Sequence, residues 1–260
     1  MLVYPQLGTG ALSQFPVRKR RRLRTVTNTA ADGSSIKLAD PAAEITEWQL
    51  EYAELTDDEM AALQQFFAAA EGTLNGFTFL DPTANLLAWS DKLDEAVWQC
   101  APLLSVAGGI ADPTGGTKAW RLDNSGSAAQ AITQTLAAPA GYLYCFSAYV
   151  RSSQASQVAM LMGSQRADRA VTPQWNRIAF TTAGDPAAES ISFGLEAPAG
   201  GSLDVFGMQA EPQAGASVHK AAATGGVYEN ARLGEDVLSV TTTGVNRHSA
   251  RVTIIHANHL

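Results

Sequence analysis

The chain has 260 residues, of which 46% are hydrophobic and 17% charged, a globular composition well away from that of disordered chains. Its formal charge is −7, and no stretch approaches eighteen consecutive apolar residues, so neither a general nucleic-acid surface nor membrane insertion is expected. The start, MLVYPQLGTGALSQFPV, has neither the basic stretch nor the small-residue cleavage site of a secretory signal.

The first predicted element is the run VRKRRRLRTVTN, residues 17–28, which places six cations in seven positions. As a strand it would align Arg18, Arg20, Arg22, Arg24 and Val26 on one face, with Val17, Lys19, Arg21, Leu23 and Thr25 on the other. Ala-Asp-Gly in the following ADGSSIKLAD signals a hairpin turn. ITEWQLEYA, residues 45–53, alternates and predicts a half-buried strand with Trp48, Leu50 and Tyr52 inward.

LTDDEMAALQQFFAAAEG is the one predicted helix. Thr56 as N-cap and Glu59 three residues later form a capping box, and Asp57 and Asp58 suit the positive end of the helix dipole. Met60, Leu63, Phe67 and Ala70 form the predicted apolar stripe, with Phe66 on its edge, and Gly72 stops the helix. A short strand, GFTFLDP, follows.

From about Asn85 the texture changes to Gly-rich turns and short apolar runs. Six strands are predicted, within AITQTL, YLYCFSAYVRS, QVAMLMGS, WNRIAFTTA, SISFGLEA and SLDVFGMQAE, which points to a β-sandwich. In the second of these, Tyr144, Phe146, Ala148 and Val150 share one face. Two further strands, VLSVTTT and ARVTIIHA, close the chain. Cys100 and Cys145 are expected to be buried free thiols, as in a protein made in a reducing compartment.

Two stretches carry a resemblance. The succession YPQL, basic strand, DG turn, WQLEY, LTDDEMAALQQFF and FTFLDP resembles the N-terminal part of tail proteins of tailed bacteriophages, in particular the distal-tail or tail-tip group. Residues 85–224 are similar to the carbohydrate-binding-like jelly rolls carried on phage tail and fibre proteins. They share an NLL–S–W opening and a closing pattern matched by Gly207, Gln209, Glu211, Gly215, Ala216, Ser217 and Thr224. That family's closing stretch usually carries Pro-Tyr, where this chain has Val218-His219.

The resemblance implies a mainly β protein: a tail-type β-sandwich belt domain with one α-helix, plus an inserted β-sandwich jelly roll. Its expected boundaries are 1–84 and 225–260 for the belt and 85–224 for the insert. It further implies a non-enzymatic structural component of a phage or prophage tail tip, forming a hexameric ring. The expected partners are other copies, the tail tube protein, tail hub or tip proteins, the tape-measure protein and a host cell-surface glycan. The expected location is the virion tail, assembled in the host cytoplasm.

Motifs that carry chemistry are few. There is no GxxxxGK[ST] and no GxSxG, and no cofactor or metal is expected. His256 and His259 lack a third partner at a chain end. The carboxylate pairs Asp57-Asp58 and Glu235-Asp236 are ascribed to helix capping and a turn. Sugar rings stack on aromatic side chains. Trp98 and Trp120 lie in apolar contexts and read as core, so Trp175, after a Pro-Gln turn, is the candidate glycan contact. The alternative to a structural role is a glycan-binding module or virion-borne glycosidase acting on cell-surface carbohydrate.

The basic run lacks interleaved aromatics, and removing its six cations from the net −7 leaves −13, which would repel DNA. Charged edge strands resist aggregation. The preferred reading is a contact with a neighbouring subunit or the tail tube. Arg18, Lys19, Arg20, Arg21, Arg22 and Arg24 would then face acids such as Glu44, Glu47 and Glu51.

Overall fold

The structure, a computed structural model, describes residues 1–257. Strand accounts for 51% of it and helix for 5%, so the chain is mainly β, with three sheets. It divides into two compact units. Unit 1 comprises Met1–Gly8, Ser13–Phe79 and the residues from Tyr228 on; unit 2 comprises Thr9–Leu12 and Leu80–Val227.

β1 (Val17–Thr29) and β2 (Ser35–Leu55) form an antiparallel hairpin. Its turn contains Gly33 at φ 84°, a left-handed conformation that costs glycine little. Along β2 the expected alternation is observed: Trp48, Leu50 and Tyr52 are buried, and Ile45, Glu47, Gln49 and Glu51 are half-buried.

α1 (Asp57–Ala70) follows, with both hydrogen bonds of the Thr56/Glu59 capping box made. Glu71 ends it in the left-handed region at φ 51°, followed by Gly72 at φ 63°. The buried stripe is Met60, Leu63, Phe66 and Ala70, while Phe67 is only half-buried, which corrects the expected order of the two phenylalanines. At 100° per residue Phe67 falls between Met60 and Leu63 and Phe66 beyond Ala70, so the helical period alone favours Phe67. Tertiary partners favour Phe66, which meets Tyr4 edge-on at 5.1 Å and Phe77 at 4.8 Å. β3 (Phe77–Leu80) is buried throughout.

Unit 2 contains ten strands: β4 (Gln99–Cys100), β5 (Leu104–Ile110), β6 (Ala119–Asn124), β7 (Gln130–Leu136), β8 (Leu143–Arg151), β9 (Ser156–Met162), β10 (Gln165–Val171), β11 (Asn176–Ala183), β12 (Ile191–Ala197) and β13 (Ser202–Glu211). They form two five-stranded sheets, ordered β10-β9-β12-β7-β4 and β11-β8-β13-β6-β5. The six expected strands are all present. Of the four others, β4, β5 and β10 are sheet edges with little apolar signal; in β10 only Val171 is buried. Phe193 of one sheet packs on Tyr144 and Phe146 of the other at 5.5 and 5.9 Å, within a core that also buries Ile132, Met160, Leu203 and Val205. Burying each such side chain contributes roughly 1.5–3 kcal/mol. Both cysteines are free, but only Cys145 is buried; Cys100 is exposed because β4 is a two-residue edge strand.

β14 (Val227–Leu233), β15 (Val240–Gly244) and β16 (Arg247–Ala257) return to unit 1. Its sheet runs β1-β2-β16-β14-β3, with β15 also paired to β16. Trp48 lies at the centre, 4.6 Å from the Tyr228 ring and 5.0 Å from Phe79. Buried Tyr4 extends this cluster, its hydroxyl 2.8 Å from that of Tyr52. Among the described residues, no helix is long and apolar enough to cross a membrane.

Candidate functional site

The residues that close unit 2 have structural roles. The buried amide of Asn85 donates to the carbonyls of Met208 and Lys220 and accepts from the amides of Leu87 and Ala210. Gln209, fully buried, accepts from the Lys220 amide at 2.7 Å. Glu211, 1% exposed, accepts from the Ser217 amide at 2.9 Å and from the Lys220 ammonium at 3.4 Å. Gly207 has φ 62°, and a Cβ there would lie 3.0 Å from the His219 ring. These groups hold residues 212–222 against the outer face of the β13 sheet. Hence Cys145 and Ser147 of β8 are buried although they point away from the core.

Further along the same face the sheet is open. Strand register aligns Arg121 of β6, Asp204 of β13 and Arg151 of β8 across three neighbouring strands. Asp204 is buried and accepts from Arg121 Nε at 2.8 Å, Arg121 Nη2 at 3.2 Å and Arg151 Nε at 2.9 Å. The carboxylate raises the Arg121 pKa above its ordinary value, chiefly through its hydrogen bond. Arg151 also stacks on Trp175, its guanidinium carbon 4.7 Å from the ring centroid. One rung along, Phe206 and Tyr149 lie 6.0 Å apart, and Arg177 caps Tyr149 at 5.4 Å. Beside this row is a depression of about 310 Å³ lined by Arg121, Arg151, Ser153, Ser202 and Asp204 among others.

Of the tryptophans read from sequence, Trp175 is half-buried, with one partner already on its ring. Trp98 is buried as expected, but Trp120 is only half-buried because its indole reaches out to donate to the Asp91 carbonyl at 2.9 Å. Arg121, Arg151 and Asp204 were not among the expected site residues. The legible signal was Asp204 itself, a carboxylate inside the apolar strand SLDVFGM.

The β1–β2 hairpin contains the other expected residues. Arg21 makes a two-pronged pair with Glu44, with Nη2 donating to Oε2 at 2.9 Å. This pair raises the Arg21 pKa and lowers that of Glu44. Arg20 faces Glu47 at 3.8 Å and Arg24 faces Asp40 at 3.7 Å, while Glu51 pairs with Arg251 of β16 at 3.1 Å. The acids expected to receive the cations therefore lie one strand away in the same chain. Lys19 turns inward over the rings of Trp48 and Tyr228, at 5.3 and 5.7 Å. Among the described residues, Arg18 and Arg22 make no ion pair.

The last described pair between β16 and β2 is Ala257↔Ile45. At that point the β1–β2 pairing jumps from Arg22↔Ile45 to Arg24↔Asp40, an irregularity that holds Pro41. Beyond it, among the described residues, the hairpin is a two-stranded arm. One face carries Val26 opposite Leu38 and Asn28 opposite Ile36; the other carries Thr25, Thr27 and Lys37. Ile36 and Leu38 are 64% and 51% exposed.

His256 is half-buried 5.1 Å from the Tyr228 ring, and burial holds its pKa below the usual value. His259 lies outside the described residues.

No family model matches the chain, and no curated protein matches it in sequence. Solved structures do match. The xylan-binding family 22 module of Paenibacillus barcinonensis Xyn10C is 13% identical over 51% of this chain and 96% of its own, with a TM-score of 0.42. The C-terminal family 22 carbohydrate-binding module of Clostridium thermocellum Xyn10B is 14% identical over 54% of this chain and 99% of its own, with a TM-score of 0.43. The enzymatically active domain of tailspike protein 4 of bacteriophage CBA120 is 12% identical over 55% of this chain, with a TM-score of 0.40. The match spans only 23% of that tailspike chain.

Proposed function

We propose that the chain is a structural, non-catalytic component of a phage or prophage tail tip. Its copies form a ring that joins the tail tube to the host-recognition apparatus, with hub or tip and tape-measure proteins as further neighbours. The observation that carries this reading is the β1–β2 arm. A two-stranded ribbon has no core of its own. An exposed apolar face on such a ribbon, beside an open edge strand, is a surface for another chain. Val26, Ile36 and Leu38 supply that face, while Arg18 and Arg22 at the arm's base supply cations that pair with no acid among the described residues. A neighbouring copy of a chain with net charge −7 offers complementary acidic surface, and repetition of one head-to-tail contact closes a ring when its rotation divides a full turn.

Native mass spectrometry and negative-stain imaging test the reading. Wild-type protein is expected as closed rings of about 6 copies. Ile36→Asp with Leu38→Asp should give a folded monomer, since neither side chain is in a core. Arg18→Glu with Arg22→Glu should weaken assembly less. Wild-type protein that stays monomeric at working concentration and never joins particles would overturn the proposal.

A second reading is favoured by the row Arg121–Asp204–Arg151 beside Trp175: unit 2 binds a glycan on its open sheet face. The depression is lined by one carboxylate, Asp204, held by two guanidiniums, whereas glycoside hydrolysis by the usual route needs two carboxylates across the scissile bond. Binding without hydrolysis is therefore the supported form. Loss of glycan-array binding in Trp175→Ala, with its unfolding curve unchanged, is the expected outcome.

A further inference from the structure

We propose that the depression beside Asp204 selects an acidic sugar, with the sugar's carboxylate held by Arg151 and Arg121. This rests on the reading of unit 2 as a glycan binder and names the class of glycan.

The hydrogen-bonding groups left over in the depression decide the class. Neutral sugars are recognised through their hydroxyls, which need acceptors as well as donors. Here the one carboxylate lining the depression is largely used: Asp204 already accepts three hydrogen bonds from guanidinium nitrogens, one at Oδ1 and two at Oδ2, of the roughly four it can take. The donors are not saturated. Arg151 spends Nε on Asp204, and its two Nη atoms have no partner among the described residues. Arg121 spends Nε and Nη2, leaving Nη1. The Ser153 hydroxyl also lines the depression. The lining is thus rich in donors, poor in acceptors, and carries two positive charges against one negative. Asp123 lies on the same face one rung further, opposite Ser202, and does not line the depression. An acceptor-only anion matches this set, and a planar carboxylate matches the two-pronged edge of a guanidinium.

Preorganisation supports the same conclusion. An arginine free in solution loses rotamer freedom when it grips a ligand. Arg151 is already held on two sides, by Asp204 at 2.9 Å and by the Trp175 ring at 4.7 Å. Its outer nitrogens are aimed before any ligand arrives. Asp204 therefore acts as the positioning residue.

The test uses full-length protein on a glycan array in which each uronate- or sialate-bearing glycan is printed beside its methyl-esterified counterpart. The ester keeps the ring and removes only the charge, so wild-type protein suffices. The free acids are expected to bind at least about tenfold more tightly than their esters, with affinity falling as salt rises. Arg121→Gln, whose side chain is 44% exposed, should abolish that preference without unfolding the protein. If esters or neutral glycans bind as well as the acids, the proposal is overturned while glycan binding stands. If no glycan of either kind binds, both fall.

Discussion

Two groups of arginines occupy this molecule, and they were unequally visible. In β1 five arginines and a lysine stand within seven residues, and the run attracts attention at once. In the structure most of that charge is settled locally, because each of Arg20, Arg21 and Arg24 faces its own acid across the hairpin. These pairs are open to water, where ion pairs contribute little. Arg121 and Arg151 are thirty residues apart and inconspicuous, yet they converge on one buried carboxylate from adjacent strands. The first group is dense and mostly paired one to one; the second is sparse but shares its counter-ion, leaving donors to spare. Density of charge along a chain is thus a poor guide to unsatisfied charge in space.

The largest mutational effect is expected at the aromatic cluster of unit 1. If the hairpin is held by its aromatic anchor and not by its charges, Trp48→Ala should destabilise unit 1 by about 3–5 kcal/mol in urea unfolding. An effect below that of the charge variants would mean that the ion pairs, and not the aromatic cluster, hold the hairpin. Asp204→Ala should come next. It removes the shared carboxylate and leaves two cations facing each other. The full cost of orphaning a buried charge is discounted because Arg121 and Arg151 remain 44% and 28% exposed, so a loss of about 2 kcal/mol in unit 2 is expected. A silent Asp204→Ala would mean that the row is no more coupled than the hairpin pairs.

The smallest effect is expected at Glu44→Gln. Arg21 lowers the Glu44 pKa in the folded state. A carboxylate of that kind adds stability above its unfolded value, near 4.3, and that contribution disappears as pH falls through the folded value. The wild type should therefore be marginally the more stable at neutral pH, with the difference closing below about pH 4. Thermal melts across that range measure it. A large gap at neutral pH would show the hairpin pairs to be stronger than exposed ion pairs should be.

Much of unit 1 was legible because its signals are local. The capping box lies within four residues of sequence, and the alternation of Trp48, Leu50 and Tyr52 is a period-two pattern that only a half-buried strand explains. The choice of Phe66 over Phe67 was not legible, since it depends on Tyr4 and Phe77. In unit 2 most strands with strong apolar faces were readable, the edge strand β11 among them, whereas β4, β5 and β10 at sheet edges and β6 in the interior were not; β4, β5 and β10 bury too little to need a hydrophobic pattern.

The mainly β character, the helix with its two ends, and the inward faces of β2 and β8 follow from local sequence, because periodicity and capping chemistry act over a few residues. What the charges do depends on the tertiary fold. Ion pairing depends on which residues become neighbours across a ladder. The register that sets Arg121, Asp204 and Arg151 side by side is fixed by sheet pairings between residues up to 83 apart. The β1–β2 register likewise sets Val26 opposite Leu38 and Asn28 opposite Ile36, and so gathers the exposed apolar side chains of the hairpin on one face.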